Sequence, residues 1–321
     1  MSEPAPDTPY GVKREKRGEP ISLKPAFEEY YRELLGDSYD EFVTELDYYL
    51  PKAVRMNPLK ADPLLTAARL REHFTLTPIP WAPHAYWATG PRRDIGNTME
   101  HQLGYCYIQE AASMLPPIVL DPKPGMRVLD IAASPGSKTT QLAALMENQG
   151  VLIANDKGMR MRPLGINVQK CGCTCVMLTN NDGRGMPKNM FDRVLADVPC
   201  SATGTIQRSL KAAAMWSEAF SKSLTRLQKQ LAFTAYDSLV PGGRMVYSTC
   251  TIEPRENEAI VSALAHVGAI VLPIDLPIKR EKPFMNFEGE TFHPSVSNCL
   301  RIHPYTNGTE GFFVALLEKP L

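Results

Sequence analysis

From about residue 101 the chain alternates two kinds of segment, and this constrains its fold more than anything else. The strand-like runs "MRVLDIAAS", "GVLIAND", "CVMLTNN", "FDRVLADVP" and "GGRMVYSTC" alternate with the helical patterns "TTQLAALMEN", "MRPLGINVQKCG", "LTRLQKQLAFTAYDSLV" and "ENEAIVSALAHV". Strands separated by helices pair in parallel through right-handed crossovers, which places helices on both faces of the sheet. The expected fold is α/β, a doubly wound, mostly parallel sheet over residues 101–321. "QEAASMLPPIVL" reads as a helix ending at its prolines, and "GFFVALLEK" as a strand closing the sheet antiparallel at its edge.

The preceding segment has a different character. In residues 23–100, "AFEEYYRELLG" and "DPLLTAARLREHF" have helical spacing, "PKAVRMNPLK" is extended, and "LTPIPWAPHAYWAT" suggests short strands and turns. A small α+β domain is expected there. Residues 1–22 have the composition of a disordered or extended tail, in which "KREKRGE" is read as solvated.

Lys+Arg and Asp+Glu are both 35, so a polyanionic partner would have to meet basic residues concentrated locally. Seven cysteines, no secretory pattern and no apolar run of membrane-spanning length point to reduced thiols in the cytoplasm. A monomer is the default expectation.

In a doubly wound sheet, ligands bind beyond the carboxyl ends of the strands, where the strand order reverses. The first such turn, "LDIAASPGSKTTQ", is built from small residues: Ala132, Ala133, Ser134, Pro135, Gly136 and Ser137, followed by Lys138. A phosphate loop would need Gly directly before Lys, and a dinucleotide site would need G-x-G-x-x-G; neither is present. The second strand ends at Asp156, placed to accept from ribose hydroxyls, and the third at Asp182, placed to accept an adenine amino group. An adenosine-bearing cofactor without a phosphate to cradle fits this set, and S-adenosylmethionine is the expected one.

Cys200 follows the fourth strand and Cys250 the fifth, with Asp197 in the same turn as Cys200. Neighbouring strands would bring both thiols to one cleft. These elements, together with "RMNPLK" and "GYCYIQEAASMLP", resemble in order the Sun/nucleolar-protein family of RNA cytosine-5 methyltransferases, from about residue 25 to the C-terminus. The resemblance implies a Rossmann-like methyltransferase sheet and an RNA substrate, tRNA or rRNA. It assigns Cys250, in "STC", as the nucleophile that adds to cytosine carbon 6. It gives Asp197 a hydrogen bond or proton at the cytosine N3 edge, besides a place in the cofactor site with Arg160, and gives Cys200 a part in product release. Arg55 and Lys60 become the expected RNA contacts of the small domain. The rival reading is an RNA-binding ribosome-assembly factor whose methylation is incidental or lost.

Two departures from the family pattern stand out. "AASPGSK" carries Ser134 where the family often has "AAPGGK", and "PCSATG" has Ala202 where glycine is usual, which matters if that position needs positive φ. Cys171, Cys173 and Cys175 lack the paired spacing of a zinc site and are read as packing. Glu256 and Glu258 are read as a solvated helix end.

Overall fold

The computed structural model describes residues 7–18, 21–90 and 94–321. Its large sheet has the order Ile270–Leu272, Phe312–Glu318, Leu239–Thr249, Phe191–Asp197, Arg127–Asp130, Val151–Asp156, Val176–Asn180. The last five of these are parallel. The fold is thus the expected Rossmann-like α/β sheet. Alternate residues on each strand feed two cores: Val128, Leu195 and Val246 pack with Leu142 and Leu164, while Leu129, Val194 and Tyr247 pack with Leu231 and Val261. Burying such side chains contributes about 1.5–3 kcal/mol each, which is why near-continuous apolar runs read as central strands.

The C-terminal strand is antiparallel as expected, but it does not form the edge. It lies between Leu239–Thr249 and the short Ile270–Leu272, and Leu300–Ile302 also pairs with it. The helix around the prolines also differs from expectation. Leu115–Leu120 begins with Pro116 and Pro117 in its first turn, where a missing N–H costs nothing, instead of ending there.

The small domain is a four-stranded antiparallel sheet, Thr75–Pro78, Ala85–Thr89, Lys52–Met56, Cys106–Ile108, with the helix Pro63–Arg71 against it. Because Cys106–Ile108 pairs with Lys52–Met56, this sheet extends past the boundary expected at residue 100. The described part of the tail is also more ordered than its composition implies. Val12 is buried, Tyr10 stacks on Trp87 at 5.2 Å, and Glu15–Lys16 pairs with Tyr48–Tyr49. Aromatic packing and cation–π contacts of Arg14 and Arg17 with Tyr48 and Tyr49 hold it. Residues 1–6, 19 and 20 of the expected tail lie outside the described residues.

Glu256 and Glu258 are fully buried, against the solvated reading. Glu258 pairs with buried Arg301 at 2.6 Å, and Glu256 accepts from Ser201 N–H (3.0 Å), Ser221 Oγ (2.7 Å) and Gln228 Nε2 (2.7 Å). Buried carboxylates persist only when so paired. Among the described residues, no helix is long and apolar enough to cross a membrane.

Candidate active site

The switch in strand order falls between Arg127–Asp130 and Phe191–Asp197, and the polar residues gather at the carboxyl ends there. The turn after the first strand bends through Gly136 at φ +103°, and a Cβ at that position would sit 3.1 Å from Leu164 Cδ1. This positive φ and tight contact explain the glycine. The Ser134 N–H donates to Asp156 Oδ2 at 2.8 Å, and Ala133 N–H to the Asn155 carbonyl, also at 2.8 Å, so the first turn is fastened to the second strand. Arg160 pairs with Asp156 at 3.0 Å and donates to the Ser134 carbonyl. Asp182 meets Lys157 and Arg184, both at 2.6 Å, and these contacts, Arg184 first, hold its carboxyl well below the usual range.

Beside this turn lies a cavity of about 300 Å³ lined by, among others, Lys138, Asp197, Cys250, Arg208, Glu310 and Phe312. Lys138 Nζ is 2.8 Å from Asp197 Oδ2 and donates to Ser113 Oγ at 2.9 Å. Burial works to lower the Lys138 pKa, but Asp197 first, with Cys250 and Asp130, together offset it and the net shift is upward, so the ammonium is retained. Asp197 Oδ1 accepts from Ser248 Oγ at 2.8 Å, which fixes the carboxylate from its other side.

Cys200 and Cys250 face each other with Sγ···Sγ 3.3 Å. The two loops are bolted together by Gly204 N–H to the Cys250 carbonyl (3.0 Å) and by Thr251 Oγ1 to both Ser201 Oγ and Thr203 Oγ1 (2.8 Å each). The hydrogen bond shared with Cys250, then burial, push the Cys200 thiol well above its ordinary value. Two sulfurs this close cannot both ionise easily.

Ala202 has φ +57°, the conformation in which a Cβ is costly. Ala202→Gly is therefore expected to stabilise the protein by roughly 0.5–1 kcal/mol, the cost of the Cβ less the entropy that glycine loses on folding, read as a shift of the urea midpoint at constant m. A loss of stability would mean that the methyl group is held by packing.

The chain matches the family described as 16S rRNA methyltransferase RsmB/F over residues 117–318, and the N-terminal domain of 16S rRNA methyltransferase RsmF over residues 23–111. The chain belongs to the RsmB/F family of RNA cytosine-5 methyltransferases. It is 42% identical to a tRNA (cytosine(49)-C(5))-methyltransferase of Pyrococcus abyssi, over 88% of this chain and 93% of that one. It is 39% identical to the ribosomal RNA small subunit methyltransferase F of Vibrio vulnificus, over 87% of this chain but only 60% of that protein's length. The crystal structure of a methyltransferase homolog protein from Pyrococcus horikoshii superposes with a TM-score of 0.81 at 33% identity, covering 92% of this chain and all of that one.

Not every site residue of this RsmB/F member was legible. Glu110, Ser113, Arg208, Glu310 and Phe312 line the cavity with the expected residues, yet none stands in a turn that spacing alone marks. "GFFVALLEK" pointed to the strand but not to Phe312 as a wall. The expected RNA contact Arg55 must be corrected. It is 5% exposed and donates to Gln109 Oε1 (3.0 Å) and Thr140 Oγ1 (3.0 Å), so it joins the two domains and does not face solvent. Lys60 is exposed. Cys171, Cys173 and Cys175 are buried in the core, and burial raises each thiol. A larger concavity, about 910 Å³, lies between the N-terminal arm and the small sheet and includes neither thiol loop. The smaller one is the candidate site, because of these two it is the one that sets a thiol beside charged side chains.

Glu110 Oε1 accepts from Glu310 N–H, and Oε2 from Ala112 N–H (2.6 Å). Burial first, and the neighbouring Glu310 second, push its carboxyl up to about 8. A raised acid stabilises the fold fully below its unfolded value and loses that contribution as pH rises through about 8. Glu110→Gln, which cannot ionise, should therefore melt increasingly above wild type as pH goes from 5 to 9. Parallel Tm curves would refute this.

Proposed function

We propose that this chain methylates carbon 5 of a cytosine in structured RNA, with S-adenosylmethionine as methyl donor and Cys250 as nucleophile. The supporting observation is that Cys250 shares its cavity with Asp197 and Lys138, while Cys200 stands behind it at 3.3 Å. The residues of the strand ends fit the donor. The turn has no phosphate-cradling pattern and approaches closely through Gly136. Asp156 and Asp182 would take the adenosine hydroxyls and amino group in place of the Arg160 and Lys157 partners they hold here. When bound, S-adenosylmethionine supplies an electrophilic methyl group on a sulfonium sulfur.

Cytosine carbon 5 is a poor nucleophile until electrons are pushed into the ring. Addition of the Cys250 thiolate to carbon 6 does this, and the Asp197–Lys138 pair supplies a hydrogen bond or proton at N3 as charge develops. Afterwards the carbon 5 proton must leave and the sulfur–carbon 6 bond must break. The hydrogen bond and charge of Cys250 are two of the causes that hold the Cys200 proton. Once Cys250 is bonded to carbon 6 both disappear; Cys200 then releases its proton to solvent, and the thiolate takes the carbon 5 proton as the sulfur–carbon 6 bond breaks and Cys250 leaves as thiolate. The flipped base costs a few kcal/mol to extract, which favours loops and locally melted RNA.

Purified protein with methyl-labelled S-adenosylmethionine and unmodified tRNA and rRNA transcripts should yield 5-methylcytidine on nucleoside digestion. Label in another nucleoside, or in none, would overturn the proposal. The higher identity to the tRNA-named relative makes tRNA the first substrate to try, and bisulfite sequencing of the products locates the cytosine.

A further inference from the structure

The cavity has a mouth as well as a nucleophile, and Arg208 stands at it. Its side chain is 66% exposed, yet Nε lies 3.2 Å from Oε1 of Glu310, whose side chain is 3% exposed. The contact is an ion pair without a hydrogen bond, so the charge of the buried carboxylate holds the exposed guanidinium near the mouth. Among the described residues no hydrogen bond is formed by any guanidinium nitrogen of Arg208. The loop under Arg208 is tied to the catalytic one. Its N–H donates to the Thr205 carbonyl (2.9 Å), Gly204 N–H to the Cys250 carbonyl (3.0 Å), and Gly311 N–H to the Gly204 carbonyl (2.9 Å). Arg208, Cys250 and Glu310 therefore hold one register.

A base entering this cavity brings its ribose and phosphate to the mouth, because the cavity, about 300 Å³, has room for little more than the base and the methyl-bearing end of the donor. Planar guanidinium N–H pairs match phosphate oxygens, and a charge-assisted bond of this kind is among the stronger polar contacts. We propose that Arg208, held at the mouth by the charge of buried Glu310, is a phosphate clamp for the backbone of the nucleotide whose base enters the cavity. This rests on the RNA reading above. It assigns Arg208 to positioning, not to bond making.

The test is equilibrium binding of an unmodified tRNA transcript to wild type, Arg208→Ala and Arg208→Lys between about 50 and 200 mM salt. Arg208→Ala should bind about tenfold more weakly, with the slope of log affinity against log salt shallower by about one unit. Arg208→Lys should restore the slope but only part of the affinity, since a point charge replaces the fork. Where transfer is measured, the Arg208→Ala loss should fall on KM, with kcat within about threefold. An Arg208→Ala slope equal to that of wild type would overturn the clamp even if affinity fell, because a merely structural loss releases no counterion. So would a loss confined to kcat. Binding is read without chemistry, so a wild type that binds RNA but transfers no methyl group would overturn the proposed function and leave the clamp standing on its slope.

Discussion

Cys250→Ala is expected to lower methyl incorporation into RNA by more than about a thousand-fold while leaving Tm within a few degrees of wild type. The first half follows from the role proposed for this sulfur. Without addition at carbon 6 the ring stays electron-poor at carbon 5, and removing a nucleophile has effects of this size or larger. The second half follows from the surroundings of Cys250. The side chain is only partly buried, and the hydrogen bond that fastens its loop comes from Gly204 N–H to its carbonyl at 3.0 Å, which alanine keeps. What is lost is one weak thiol–thiol contact. Incorporation and thermal melting on the same preparation decide it. Unchanged incorporation would remove Cys250 from the mechanism, and a variant that binds RNA without transferring methyl groups would separate enzyme from assembly factor.

Cys200→Ala should behave differently. Attack survives, release does not, and a covalent protein–RNA species should build up and migrate as a shifted band on denaturing gels. Turnover should fall by roughly 10²–10⁴, the range for loss of a proton-transfer group. The reason is positional: the Cys200 sulfur is 3.3 Å from that of Cys250, so it stands beside the carbon to which Cys250 would bond. Adding Cys250→Ala to this variant should abolish the band, since the bond would have no sulfur to form it. Full turnover with no shifted band would refute the assisting role, and a band surviving in the double variant would place the bond on another residue.

Some elements of this protein could be read directly because their cause is local. Gly36 ends the helix Pro25–Leu35 at φ +53°, and Asp62 caps the helix Pro63–Arg71 by accepting from the Leu64 and Leu65 amides. The concern over Ala202 also stood up, because the position does take a positive φ. The parallel order of the fourth and fifth strands followed from the alternation, and with it the meeting of two thiols 50 residues apart. Other readings failed because their cause is distant. "LPPIVL" carries the same prolines whether they end or begin a helix, and the packing of Leu115 and Leu120 into the core selects the second.

What the sequence alone determined was the α/β class, the polar strand ends and the pair of thiols, since apolar period and turn composition act between near neighbours. Only the tertiary structure decided which charges are interior. Glu258 and Arg301 are 43 residues apart and Arg208 and Glu310 lie still farther apart, and each pair exists because the fold makes desolvation tolerable by setting opposite charges side by side. Arg55 leaves the expected RNA surface through neutral partners instead, the oxygens of Gln109 and Thr140. A charged side chain reads alike in water and in a core until its partner is in place.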